Sequence, residues 1–300
     1  MKRLVVLFLT VILLGCSPAA SKEAETVEAL SILAPKGAPA LTLITYADAY
    51  GQDNLTLVDG TDVISAALLN PTPEYDVIIA PINLGAVTIN KGSDYRLLGV
   101  ITWGNLYLVA NTDLTDSTLP IAMFGEGAVP QKVVDASVDL TTLGKDVQYY
   151  NSVADVQVAL LTQSASYGLL AEPALTATLA KATAAGINLE VVYDIQAEYN
   201  AKNGTSGYPQ AAVFVLNSTY EDNKASYDEL VSYLSDLNAE NVTALLSGNE
   251  ETYGVPSAAI ITQAWDGINI EYKGYQDVKT EISAFLKLFN IDSVENLFVD

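Results

Sequence analysis

Short apolar runs alternate with longer amphipathic segments along most of this chain, and the alternation comes in two successive blocks. Short runs rich in Val, Ile and Leu read as buried strands, and the segments between them carry helical spacing and helix-start residues. In the first block, strands are expected at 30–34, 55–58, 75–80 and 95–103, with a returning strand at 105–110. Helices are expected at 39–50, with Pro39 near the first turn, at 61–70, capped by Thr61, and at 83–90. The second block places strands at 119–124, 147–150, 167–171 and 189–193. Its helices fall at 129–139, 153–162 (capped by Ser152) and 173–184. After a Gly/Tyr/Pro loop, 211–216 reads as a strand, and the remainder is helical at 220–238, 241–246, 257–265 and 278–289.

Two βαβ blocks joined by extended segments predict an α/β protein of two lobes, each a mostly parallel sheet covered on both faces. The chain is expected to leave the first lobe near Gly104 and return near Ala211. Residues 27–104 and 211–300 then form lobe 1 and residues 105–210 form lobe 2, joined by a two-segment hinge.

The N-terminus predicts export. Met1-Lys2-Arg3 precedes an apolar run over 4–14 and then Gly15-Cys16. The run is too short for a permanent membrane span, so 1–15 reads as a removable signal peptide. Leu13-Leu14-Gly15-Cys16 resembles a bacterial lipobox, which implies that Cys16 becomes the acylated first residue, with palmitate among its chains, and that 16–26 is a tether. An ordinary secretory signal with an incidental Cys16 is the alternative. The expected location is extracytoplasmic, anchored to the bacterial cell membrane by lipid.

Composition narrows the function. The net charge is -22, and loss of 1–15 removes Lys2 and Arg3 but no acid, so no nucleic-acid partner is expected. Half the residues are hydrophobic and 17% are charged, enough for a large core and against disorder. The chain has no histidine and one cysteine. That excludes Ser-His-Asp and Cys-His catalysis, His-based metal sites and disulfides, and no metal or cofactor is expected. Gly125-x-Gly127 lacks a third glycine, and no Gly-Lys-Ser/Thr occurs, so no nucleotide loop is indicated.

In open sheets, ligands bind beyond the carboxyl ends of the strands, where helix starts offer free N–H groups. The candidate ligand residues are therefore in the loops: Gly37, Ala38 and Pro39; Thr61; Asn83; Trp103, Gly104 and Asn105; Glu126 and Gly127; Glu172; and Tyr208. Trp103 and Tyr208 would stack on a ligand, and the asparagines would hydrogen-bond it. Each has a plainer reading: turn glycine, helix start, cap, hinge packing, solvated acid or, for Glu172, a complement to the helix dipole.

The segments Ala34-Pro35-Lys36-Gly37-Ala38-Pro39-Ala40, Asp76-Val77-Ile78-Ile79-Ala80-Pro81-Ile82-Asn83-Leu84-Gly85, Thr102-Trp103-Gly104-Asn105-Leu106-Tyr107-Leu108 and Gly168-Leu169-Leu170-Ala171-Glu172-Pro173-Ala174 resemble solute-binding lipoproteins of bacterial ABC importers. The resemblance is to the nitrate/sulfonate/taurine and thiamine-pyrimidine-precursor type. It implies a type II periplasmic-binding-protein fold, a monomer that captures a small molecule between its lobes, and delivery to an ABC permease and its ATPase. Sulfonate and nitrate binders usually offer Ser/Thr-rich loops or a cation, whereas this chain has Gly125-Glu126-Gly127-Ala128. An acid there would disfavour an anion and favour a neutral or cationic ligand with hydrogen-bond donors. Two other classes stay open: a carboxylate-dependent enzyme on the same fold, resembling chorismate dehydratase-like proteins with Glu126 or Glu172 as base, and an adhesin or sensor lipoprotein.

Overall fold

The computed structural model describes residues 27–299. The signal-peptide, tether and Cys16 readings lie outside the described residues. In chain order the strands are β1 (Ile32–Pro35), β2 (Leu55–Val58), β3 (Val77–Pro81), β4 (Tyr95–Trp103), β5 (Leu106–Asn111), β6 (Ile121–Phe124), β7 (Val147–Tyr150), β8 (Tyr167–Ala171), β9 (Leu189–Asp194), β10 (Pro209–Leu216) and β11 (Ile270–Gly274). They form a six-stranded sheet, β11-β4-β10-β3-β1-β2, and a five-stranded sheet, β7-β6-β8-β5-β9.

Both sheets are mixed, where mostly parallel sheets were expected. In the first, β1 runs parallel to β2 and β3, but β10 is antiparallel to β3 and β4, and β11 to β4. In the second, β6 is parallel to β7 and β8, whereas β5 is antiparallel to β8 and β9. The cause is connectivity. A crossover within one sheet returns the chain for a parallel pairing, but β5 and β10 each enter from the other sheet, β5 straight after β4 and β10 after the helix Ile195–Asn203, so neither is returned by a crossover within its own sheet.

The central strands β4 and β10 are buried almost throughout, as continuous apolar runs covered on both faces must be, while the edge strand β9 is largely exposed. Several local expectations change. The helix expected over 39–50 breaks into Ala38–Leu41 and Ile44–Tyr50. The N–H groups of Thr42 and Leu43 reach three residues back, to Pro39 and Ala40, and Thr42 Oγ1 also donates to the Pro39 carbonyl at 2.6 Å. The segment read as a Gly/Tyr/Pro loop contains a helix, Ile195–Asn203, capped by Asp194 Oδ1 accepting from Ala197 N–H at 3.1 Å and closed by Gly204 at φ 65°. Strand β11 was not anticipated, and the helix expected over 220–238 is split into Asn217–Tyr220 and Lys224–Ser235. Thr61 precedes the helix Asp62–Leu68 but makes no side-chain cap bond to it.

Gly104 lies in the link from β4 to β5 and is glycine for a reason of space. A Cβ there would sit 2.1 Å from the Tyr208 ring, so the two crossing segments approach backbone to ring. The Gly104 N–H donates to the Tyr208 carbonyl at 3.1 Å, which ties the outgoing crossing to the returning one.

Candidate functional site

A cleft of about 490 Å³ opens between the two sheets, and its walls come from both. Pro35 ends β1, Pro81 ends β3, Phe124 ends β6 and Ala171 ends β8, and all four line it. The starts of the helices Ala38–Leu41, Val153–Leu161 and Ala174–Ala185 contribute Ala38, Pro39, Val153 and Ala174. Val255 and Pro256 complete the wall from the C-terminal segment. The position beyond the strand ends and the volume suit a small organic molecule.

Most of the wall is apolar, and five of its residues are prolines: Pro35, Pro39, Pro81, Pro173 and Pro256. Its polar members are few. Asn105 is 5% exposed; its Nδ2–H donates to the Glu172 carbonyl at 2.9 Å. That bond fixes the orientation of the amide, because the reverse would set two acceptors against each other. Asn105 Oδ1 is therefore an acceptor, buried and without a partner among the described residues. Glu172 is 7% exposed. Its Oε1 accepts from Thr176 Oγ1 at 2.7 Å and its Oε2 from Thr176 N–H at 3.1 Å. Burial pushes the Glu172 carboxyl above the usual carboxylate range, against the opposing effect of the Thr176 bonds. Among the described residues no cation pairs with it.

Gln157 and Thr102 also line the cleft: Gln157 Nε2 is engaged, donating to the Ala174 carbonyl at 3.0 Å and to Thr178 Oγ1 at 2.6 Å, and Thr102 Oγ1 accepts from Ala211 N–H at 3.1 Å. Lys181 stands exposed at the rim.

Of the residues singled out in the sequence, Gly37, Ala38, Pro39, Asn105 and Glu172 line this cleft. The others lie elsewhere. Trp103 is 3% exposed; its Nε1–H donates to the Glu271 carbonyl at 2.9 Å and Lys273 Nζ lies 4.8 Å from its ring centroid. It packs at the hinge beside a separate polar cavity of about 280 Å³. Tyr208 is fully buried, stacked on Phe285 with centroids 5.8 Å apart and edge-on to Tyr199 at 5.2 Å. Both aromatics yield more by filling core than by facing solvent, and neither offers a face to the cleft. Gly104 belongs to the same hinge packing. Thr61, Glu126 and Gly127 are exposed and outside the walls, with the Gly127 N–H held by Gln131 Oε1 at 2.7 Å. The acid at the cleft is Glu172 rather than Glu126. Asn83 Oδ1 is buried and has no partner among the described residues, but Asn83 is not in the cleft wall.

Sequence reasoning passed over Thr102, Phe124, Gln157, Lys181, Gln210 and Val255. Gln157, Ala177 and Lys181 lie inside helices rather than in the loops at strand ends, and only the direction of each helix reveals them. Phe124, as the last residue of a strand before Gly125, carried a usable signal.

No protein-family model matches the chain, and no curated protein sequence matches it. Solved structures do. An ABC transporter protein from Parabacteroides distasonis superposes with a TM-score of 0.73 at 20% identity over 92% of this chain and 99% of that one. The periplasmic aliphatic sulphonate binding protein SsuA from Escherichia coli gives 0.62 at 16% identity, covering 91% of each chain. The periplasmic nitrate-binding protein NrtA from Synechocystis gives 0.56 at 13% identity over 87% of this chain and 80% of that one. The chain thus has the two-lobed α/β architecture of periplasmic solute-binding proteins, the type II fold.

Proposed function

We propose that the protein is the solute-binding component of an ABC importer. It is held outside the cytoplasm by lipid on Cys16, captures a small organic molecule between lobes 27–104 with 211–300 and 105–210, and delivers it to a permease and its ATPase. The observation that carries the reading is the inter-sheet cleft at the strand ends, floored by a buried acceptor with no partner among the described residues, Asn105 Oδ1. A buried orphan acceptor costs free energy that a bound donor recovers. The fold likeness to importer proteins supports the same reading. Ligand binding to the closed arrangement would stabilise it by mass action, about 2.7 kcal/mol at a hundredfold excess over Kd.

The test is retention of a small molecule by the purified monomer after equilibration with a metabolite extract, read by native mass spectrometry, with the radius of gyration followed by solution scattering. A retained molecule and a smaller radius support capture by lobe closure; an empty cleft in every extract overturns it. Anchoring is tested separately: Cys16→Ser should release the protein from the detergent phase.

One observation favours a second reading, an enzyme with Glu172 as general base: the residue lines the cleft, its carboxyl is buried and its pKa is raised. Chemical change in the retained molecule that disappears in Glu172→Gln would establish it.

A further inference from the structure

We propose that the cleft selects an uncharged or cationic molecule bearing N–H donors and excludes oxyanions, a selectivity that rests on the solute-binding reading above. The argument is an inventory of what its walls leave unmade. Among the described residues, the buried wall atom without a partner is an acceptor, Asn105 Oδ1, and the buried acidic group is Glu172, with hydroxyl and amide donors from Thr176 but no cation. Thr176 supplies one bond to each carboxylate oxygen, and each oxygen can accept another. Both acceptors sit on one knot of backbone, because Glu172 N–H also donates to the Asn105 carbonyl at 3.0 Å.

Several donors that could hold an oxyanion are taken or missing, which leaves Gln210 Nε2 and the Ala38 and Ala174 N–H groups as wall donors without a partner among the described residues. The Gly37 N–H goes to the Tyr253 carbonyl at 2.8 Å, and the Asp155 N–H to Ser152 Oγ at 3.2 Å. At the start of the helix Ala174–Ala185, the Thr176 N–H is held by Glu172 itself. The five wall prolines have no N–H to give. Lys36 is paired with Asp59 at 3.3 Å. Lys181 is solvated at the rim, about 10 Å along its helix from Ala174 at 1.5 Å per residue, too far to neutralise a group on the floor. An oxyanion entering this cleft would meet a buried carboxylate and an orphan acceptor with no cation beside them to offset the repulsion, whereas an amine, amidine or amide would satisfy both acceptors.

The experiment uses the full exported chain and a metabolite extract divided by ion exchange at neutral pH into an anionic pool and a cationic-plus-neutral pool. Each pool is equilibrated with the protein and read by melting temperature and native mass spectrometry. The cationic-plus-neutral pool should raise the melting temperature and leave a bound mass, and the anionic pool should do neither. Binding from the anionic pool alone, or equally from both, overturns the selectivity while leaving solute capture intact; binding from neither pool overturns solute capture. Glu172→Gln should weaken the molecule retained from the first pool at least tenfold, and unchanged or tighter binding overturns the assignment. Should that variant not fold, Asn105→Leu is read by the same criterion.

Discussion

Asn105 and Glu172, 67 positions apart, hold each other by a reciprocal pair of hydrogen bonds: Glu172 N–H to the Asn105 carbonyl at 3.0 Å and Asn105 Nδ2–H to the Glu172 carbonyl at 2.9 Å. The pair extends the β5–β8 ladder one step beyond Leu106 and Ala171, so sheet pairing itself sets the floor of the cleft. Replacing Asn105 by Leu leaves the Glu172 carbonyl without this side-chain donor. A loss of about 1–3 kcal/mol is expected in urea unfolding without ligand, and an unchanged midpoint would show that water replaces the side chain at no cost.

Glu172 should also make the stability of the unliganded protein depend on pH. Its carboxyl is raised in the folded state by burial, so folding favours the protonated form. Its stabilising contribution is fully present below the ordinary carboxylate pKa and is lost as pH rises through the raised value. Urea midpoints of wild type and Glu172→Gln, compared between about pH 4 and pH 7, should diverge, with wild type losing ground as pH rises. Parallel curves would contradict the burial effect.

Trp103 tests the separation of hinge from cleft. Its ring is buried and its N–H is bonded to the Glu271 carbonyl. Trp103→Ala should cost about 3–5 kcal/mol of stability. In conditions where the variant stays folded, its affinity for the retained molecule should change by less than about threefold, roughly 0.6 kcal/mol by the usual conversion. A tenfold loss of affinity with little loss of stability would return Trp103 to the ligand.

The close approach of Gly104 and Tyr208 predicts coupling between the two crossing segments. A Cβ on residue 104 would lie 2.1 Å from the Tyr208 ring, so Gly104→Ala should destabilise by about 1–3 kcal/mol through overpacking. In Tyr208→Leu the clash is relieved, and a double-mutant cycle should return a coupling of about 1 kcal/mol or more. Strict additivity would mean that the hinge backbone moves aside instead.

The double alternation of strand and helix was enough to read two α/β lobes, because burial on both faces writes continuous apolar runs into the sequence. Direction was not legible: β5 and β10 look like any other buried strand, and only their entry from the opposite sheet reverses them. The loops at strand ends pointed to the neighbourhood of the cleft, yet Trp103 and Tyr208 show the limit. An aromatic beside a glycine has the same local pattern whether it faces a ligand or packs over that glycine. The helix Ile195–Asn203 had its Asp194 cap and Gly204 stop in plain view. They were masked by the following Ser206-Gly207-Tyr208-Pro209, which reads as loop.

Strand β10 lies between β3 and β4 in the first sheet. Until residue 209 has been made, that sheet is two separate pieces, β3-β1-β2 and β4, with a gap where a central buried strand belongs. The second sheet draws all its strands from one uninterrupted stretch, Leu106 to Asp194. The topology predicts that folding runs against the order of synthesis, the part made first waiting for the part made later. A fragment of residues 105–207 should fold alone by circular dichroism, and one of residues 27–104 should not. On that expectation, residues 27–104 reach a stable fold only once β10 has been made, so their folding is delayed until most of the chain is complete.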